Sequence, residues 1–358
     1  MKNSKIWSVL TIGITLLCLV FVGGFTAFVD PMFHYHSPLE RLEYPIDNQR
    51  YQNDGIVTHF DYDAIITGTS LTENFKASEF DALFGTDSVK VCFSGATFTE
   101  ISQNLRRALE SNDRISYVLC GIDGWFLFET YGTMRTDAAY PTYLYDENLL
   151  NDVQYLLNKE IFFEDTMGVL EYTVNGNVTT NFDDYSNWSD SEYGRTGREI
   201  VMKNYARPEI AEQTKSMTPE RQRQIEEILN RTIVDLANTY PDVQFICFFP
   251  PYSILYWDQI QREGTLERQV QAFEIASDLL LKVNNIQLFS FYDNYELTED
   301  LDQYRDAVHY GGAVNSQILQ WIHDGQYQLT QETSRDYWAA IGEKYAQYDY
   351  DALFPEES

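Results

Sequence analysis

At 358 residues the chain is long for one domain and short for three, which suits one domain of roughly 250–300 residues with an appendage. Twenty-five Lys and Arg against 55 Asp and Glu give a net charge of −30 and a pI near 4.3. That balance excludes a nucleic-acid binder, whose partner's phosphates it would repel, and argues against docking on anionic lipid. A 44% hydrophobic share beside 22% charged residues excludes global disorder, and the 15% aromatic share more often serves packing than carbohydrate stacking.

The chain opens with Ile6 to Val29, 24 residues without a charge, long enough to cross a hydrocarbon core of about 30 Å. Lys2 and Lys5 precede it and Asp30 follows, so the positive-inside bias puts the N-terminus in the cytoplasm and the rest outside. A cleaved signal peptide would need a shorter apolar region and a better small-residue site than Val22 with Gly24. Leu16-Leu17 before Cys18 does not suit a lipoprotein site, and an uncleaved signal anchor is expected. Pro31 to Gly55, rich in Pro, His and Tyr, reads as irregular.

Strand and helix then alternate. Tyr62–Thr67, Ser88–Phe93, Tyr117–Ile122, Val243–Phe249 and Ile286–Phe291 are apolar runs without polar alternation, as in strands covered on both faces. Between them, helical patterns run over Leu71–Phe84, from Ala96 to near Glu110, over Pro219–Tyr240 and over Leu266–Val283, with a last helix through Trp321. The pattern predicts a three-layer α/β/α sandwich on a five-stranded, mostly parallel, flavodoxin-like sheet. The stretch 125–216 reads as a mostly helical insertion, with fragments at Glu147–Lys159 and Glu160–Tyr172 and a long polar loop, Asn175–Arg198. The expected organisation is a cytoplasmic tip and transmembrane anchor at 1–30, a juxtamembrane segment at 31–59 and an α/β domain at 60–324. A C-terminal helix with an acidic tail at 325–358 completes it. Cys18 lies in the apolar segment, and Cys92, Cys120 and Cys247 fall in strand runs, where they read as small core residues. There is no CxxC pair and no metal spacing, so no disulfide framework, metal or cofactor is expected. Asn177, Asn187 and Asn230 head glycosylation sequons that carry little weight in so Asn-rich a chain.

Chemistry gathers at the strands' carboxyl ends. Ser70, in Gly68-Thr69-Ser70-Leu71, follows the first strand and precedes a helical pattern, where a hydroxyl can be a helix cap or an activated nucleophile. On spacing alone the two readings stand equal. Asp306-Ala307-Val308-His309 adds a carboxylate three residues ahead of an imidazole, which can hold one ring tautomer while the other nitrogen faces a serine.

These residues resemble the SGNH (GDSL-like) hydrolase superfamily over 60–322. Gly68-Thr69-Ser70 is similar to its first block, with Thr69 where Asp is commonest, and Gly95 in Phe93-Ser94-Gly95-Ala96 is similar to its second. Asp306 and His309 match the Asp-x-x-His of its last block. The third block departs from the pattern: Gly121-Ile122-Asp123-Gly124 stands where the family has Gly-x-Asn-Asp, removing the Asn donor to the oxyanion hole. The anchor followed by such a domain is similar to the membrane-anchored branch that holds the teichoic-acid D-alanyl transfer protein and polysaccharide O-acetylation proteins. The turn Pro250-Pro251-Tyr252 is also reminiscent of that branch.

The resemblance implies a bacterial, Gram-positive cell-membrane setting of single-pass topology, with a membrane-bound O-acyltransferase as partner and a cell-wall polymer or exopolysaccharide as acceptor. It implies Ser70 as nucleophile, His309 as base and Asp306 as its orienter. The N–H groups of Ser70 and Gly95 would form the oxyanion hole, with Asp123 as a further candidate. Trp125, Trp188 and Tyr193 are candidate stacking rings, each as well explained by packing. A non-catalytic surface module of the same fold, binding glycan or a membrane partner, is the rival reading, and Asp123 in place of Asn favours it.

Overall fold

The computed structural model describes residues 2–135, 140–189 and 191–354. They divide into two compact units, Met1–Asp61 with Thr136–Asn181 and Tyr62–Arg135 with Phe182–Ser358. The end of the expected acidic tail, 355–358, lies outside the described residues.

The first unit is built on the apolar segment, a single helix over Lys2–Val29 whose stretch Ser4–Val29 is long and apolar enough to cross a membrane, with a mean hydropathy of 2.4 over an 18-residue window. Asp30 ends it in the left-handed region, at φ 49°, fully buried. Its carboxylate accepts the backbone N–H groups of His34, Tyr35 and His36 at 3.1, 2.7 and 3.0 Å and the Tyr155 hydroxyl at 2.7 Å. One side chain thus stops the helix, folds the next six residues back and ties them to a core of Met32, Leu144, Tyr155 and Ile161.

The segment after Pro31 stays irregular only as far as Asn48, because Gln49–His59 is a helix. Its polar composition reads as loop, yet Gln52, Asn53 and Asp54 are buried. Gln52 accounts for its own burial: Oε1 accepts the N–H groups of Asp47 and Asn48, and Nε2 donates to the carbonyls of Pro31 and Pro45. Such pairing removes most of the cost of taking an amide out of water. Farther along this unit the expected helical fragments shrink to Val153–Leu156, a π-helical turn at Ile161–Thr166 and Met167–Val174.

The second unit holds the sheet. Strands β1 (Ala64–Gly68), β2 (Ser88–Cys92), β3 (Tyr117–Gly121), β4 (Gln244–Phe249) and β5 (Ile286–Ser290) are parallel and almost wholly buried. Helices flank them, which is why the runs lack polar alternation. Six strands, not five, form the sheet: β6 (Gln328–Leu329) adds antiparallel to β5, in the order β2-β1-β3-β4-β5-β6. A two-residue edge strand has no apolar run to betray it.

Cys92, Cys120 and Cys247 are buried thiols in β2, β3 and β4, and burial pushes Cys92 and Cys247 up to about 12. The aromatic share is largely core. Trp257 lies flat on Tyr345 at 4.1 Å, Phe273 stacks on Trp338 at 5.1 Å, and the Trp338 indole N–H donates to Ser277 Oγ at 2.8 Å. Trp338 and Tyr345 belong to the helix Ser334–Ala346, so the C-terminal region completes this core.

Replacing Asp30 with Ala leaves three backbone donors without their acceptor. It should cost about 2 kcal/mol locally, read as roughly thirtyfold faster amide exchange at His34, Tyr35 and His36. Unchanged protection there would mean the carboxylate is dispensable.

Candidate active site

In the order 2-1-3-4-5 the direction of winding reverses between β1 and β3, the position where open α/β sheets hold ligands at the strands' carboxyl ends. Ser70 leaves β1 and Asp123 leaves β3 at that edge. Gly68 closes β1 at φ 147°, and a Cβ there would lie 2.6 Å from Thr72 Cγ2, so only glycine permits the turn that presents Ser70.

Ser70 does not cap a helix. Residues 70–74 form a turn and the helix begins at Ala77, six residues later than the periodicity predicts. The carbonyls a helix would use internally are taken from outside. The Trp188 indole N–H donates to Ser70 O at 3.0 Å, while Asn315 Nδ2 and Tyr310 OH donate to Leu71 O at 2.9 and 3.2 Å. The Lys90 ammonium donates to the carbonyls of Glu73 and Phe75. Ser70 therefore lacks the helix-terminal field expected of its position.

The structure brings Ser70, His309 and Asp306 together across 239 residues of chain. Ser70 Oγ lies 2.8 Å from His309 Nε2, and His309 Nδ1 lies 2.8 Å from Asp306 Oδ2 and 3.0 Å from Oδ1. A carboxylate only accepts, so Nδ1 carries the ring proton and Nε2 offers its lone pair to the Ser70 hydroxyl. Asp306 also accepts the N–H groups of Val308 and His309 at 3.0 and 2.9 Å. Burial works to raise its pKa, but the imidazole bond, the charge of His309 and these two N–H groups outweigh it and hold the carboxyl below the usual range.

The loop itself is pinned. Tyr304 bridges Tyr310, and the Ser253 N–H and hydroxyl, just past β4, both donate to Ala307 O. A cleft of about 550 Å³ opens beside Asp306 and His309, with Val201, Tyr205 and Pro208 in its wall.

Gly95 sits in a turn after β2 at φ 57°, closed by Ala96 N–H to Phe93 O at 3.1 Å. Arg135 Nη1 donates to the carbonyls of Ser94 and Gly95. Asp123 is 1% exposed and acts as an acceptor on both oxygens, from Thr69 Oγ1 at 2.6 Å and Tyr252 OH at 2.8 Å. Tyr252 in turn accepts the Gly124 N–H at 2.9 Å. Burial pushes Asp123 up to about 6, against the lowering effect of those two hydroxyls and of His309.

Of the candidate stacking rings, Trp188 packs edge-on against His309, ring centres 5.7 Å apart, as well as holding Ser70. Tyr193 packs on Trp188 at 5.9 Å and lies under the Arg305 guanidinium. Trp125 lies nearly parallel to Tyr252 at 6.2 Å, with 37% of its surface exposed. Sequence reasoning missed Asn74, whose Oδ1 accepts the N–H groups of Trp188 and Ser189, and Lys90. A lysine inside the strand Ser88-Val89-Lys90-Val91-Cys92 was the available signal.

Asp123 should write itself into the pH dependence of stability. Its folded value of about 6 lies above the ordinary 3.8, so between these pH values the folded state binds more protons and stability falls as pH rises. Acidification through that window should favour the wild type over Asp123→Asn by about 3 kcal/mol. Denaturant midpoints that shift in parallel would show an unperturbed carboxyl.

No family model matches the chain, and no curated protein matches it. Among solved structures, a Streptococcus pneumoniae protein described as a candidate platelet activating factor is similar at 11% identity and a TM-score of 0.38. The match covers 77% of this chain and 90% of that one.

Proposed function

We propose that the second unit is a serine-dependent ester hydrolase or O-acyltransferase of SGNH type. The hydrogen-bonded chain from Ser70 through His309 to Asp306, at the reversal point of the sheet, carries this reading. Ser70 Oγ attacks an ester carbonyl carbon while its proton passes to His309 Nε2, and Asp306 stabilises the imidazolium that forms. The tetrahedral adduct then expels its alcohol, which takes the proton from Nε2 and leaves acyl-Ser70. A second hydroxyl, from a sugar or from water, gives a proton to His309, attacks the acyl carbon and frees Ser70. The N–H groups of Ser70 and Gly95 stabilise the oxyanion.

Asp123 enters as the group that fixes Thr69 beside the nucleophile. Its two hydroxyl partners already use it as an acceptor, so donation to the oxyanion requires that it first be protonated. The apolar N-terminal helix supports a single-pass setting, with the N-terminus in the cytoplasm and this unit outside. In that setting the acceptor is a cell-surface polymer, and the acyl donor is supplied through a membrane-bound O-acyltransferase.

A non-catalytic module of the same fold is the second reading, favoured by Asp123 in the place of the family's Asn. The two separate on the full-length protein treated with a fluorophosphonate and examined by mass spectrometry. The enzyme reading expects an adduct on Ser70, with labelling slowed about 10²- to 10⁴-fold in His309→Ala. Asp306→Asn, which keeps the ring's neighbour but lets the tautomer invert, should lose about 10⁴-fold. Absence of an adduct across the neutral and mildly alkaline range favours the module.

A further inference from the structure

The first unit exposes apolar surface well beyond the helix that opens it. Within Lys2–Val29, residues Ser4 to Phe21 are exposed, and only the last turns bury a face, through Gly23, Thr26 and Val29. Val153–Leu156 and the turn Ile161–Thr166 pack beside that face. A Cβ on Gly23 would meet Leu157 Cδ2 at 3.4 Å and Leu156 Cβ at 3.6 Å, and the Phe25 and Phe162 rings lie 6.3 Å apart.

Depth follows from length. Lys5 marks the cytoplasmic boundary, and a hydrocarbon core of about 30 Å spans about 20 residues of untilted helix. The core therefore extends from Ile6 to Phe25, and tilting the helix only carries more of it inside. Gly23 and Phe25 lie within the outer leaflet, and so do the side chains packed on them.

The same segment turns large apolar side chains away from the protein: Leu150 is 88% exposed, Leu149 75% and Phe163 65%, with Val153, Leu157 and Met167 beside them. A water-soluble protein rarely leaves such a patch uncovered. Lys159, Glu160 and Glu164 are also exposed, and they supply the polar stripe that an interfacial segment keeps in the headgroup layer.

We infer that 149–167 is a second membrane contact, a monotopic segment seated in the outer leaflet against the spanning helix, with lipid acyl chains as its occupant. The occupant is lipid because the patch continues the exposed apolar surface of the helix at the same depth. Short helical turns suit this position, since the interface leaves their unpaired backbone groups within reach of water, as the hydrocarbon centre would not. One helix leaves a protein free to rotate about the membrane normal and to tilt, whereas two adjoining contacts fix the tilt of this unit. The inference rests on Lys2–Val29 crossing the bilayer.

The test uses the full-length chain in phosphatidylcholine nanodiscs. Cys18, the exposed native thiol, is replaced by Ser, and the three buried cysteines are kept. Leu150→Cys and Phe163→Cys each carry an environment-sensitive fluorophore, with Ile14→Cys as the reference in lipid and Ile210→Cys as the reference in water. The expected result is loss of the Leu150 and Phe163 signals to doxyl-labelled phosphatidylcholine, with protection from iodide, as at Ile14. Quenching by iodide as at Ile210 places the patch in water and overturns the inference. Protection from both quenchers assigns it to contact with a second copy of the chain and also overturns it. An Ile14 signal untouched by doxyl lipid removes the span itself, and the inference falls with it.

Discussion

The loop that presents Ser70 depends on a buried ammonium. Lys90 sits in β2 with no exposed surface, and burial depresses it to about 8. Burying a charge is costly unless it is hydrogen-bonded, and here the carbonyls of Glu73 and Phe75 meet that need. Those are among the groups that would otherwise begin a helix at Leu71. The same turn is held by Asn315 and Tyr310, in the connection between β5 and β6, and by Trp188 from a distant loop. Three separate parts of the second unit therefore converge on the stretch Ser70 to Phe75, and the position of Ser70 is a property of the packed unit.

Three aspartates show how one residue type takes different states from its neighbours. Asp30 is buried and meets four donors, which makes it a fold-back device in the first unit. Asp306 faces an imidazole and two N–H groups and stays ionised below its usual range. Asp123, buried more deeply, has two hydroxyls as its side-chain partners, and burial outweighs them and the pull of His309 to push it up to about 6. Net charge cannot distinguish them, because the shift depends on whether the partners stabilise the anion more than burial penalises it.

The first unit follows the same logic with polar side chains. Gln52 satisfies two N–H groups and two carbonyls from a helix whose composition reads as loop. The stretch 149–167 partly inverts the rule, because Leu149, Leu150, Val153 and Phe163 face outward while Tyr155 and Ile161 are buried.

The sequence by itself determined the five parallel strands, the apolar N-terminal helix and the residue types at the candidate site. Buried strands announce themselves as unbroken apolar runs, and a long apolar helix by charge-free length, since both signals are local. The spacing of Asp306 and His309 was equally legible, because one short loop holds both. Tertiary structure decided the rest. The helix expected after Ser70 was displaced to Ala77 by donors from Lys90, Asn315, Tyr310 and Trp188, none near it in sequence. The helix Gln49–His59 can bury Gln52 because its amide pairs with the carbonyls of Pro31 and Pro45, and β6 exists because β5 offers an edge. Hydrogen-bond partners far apart in the chain leave no periodicity in it, so only the folded chain reveals which polar groups are satisfied and where.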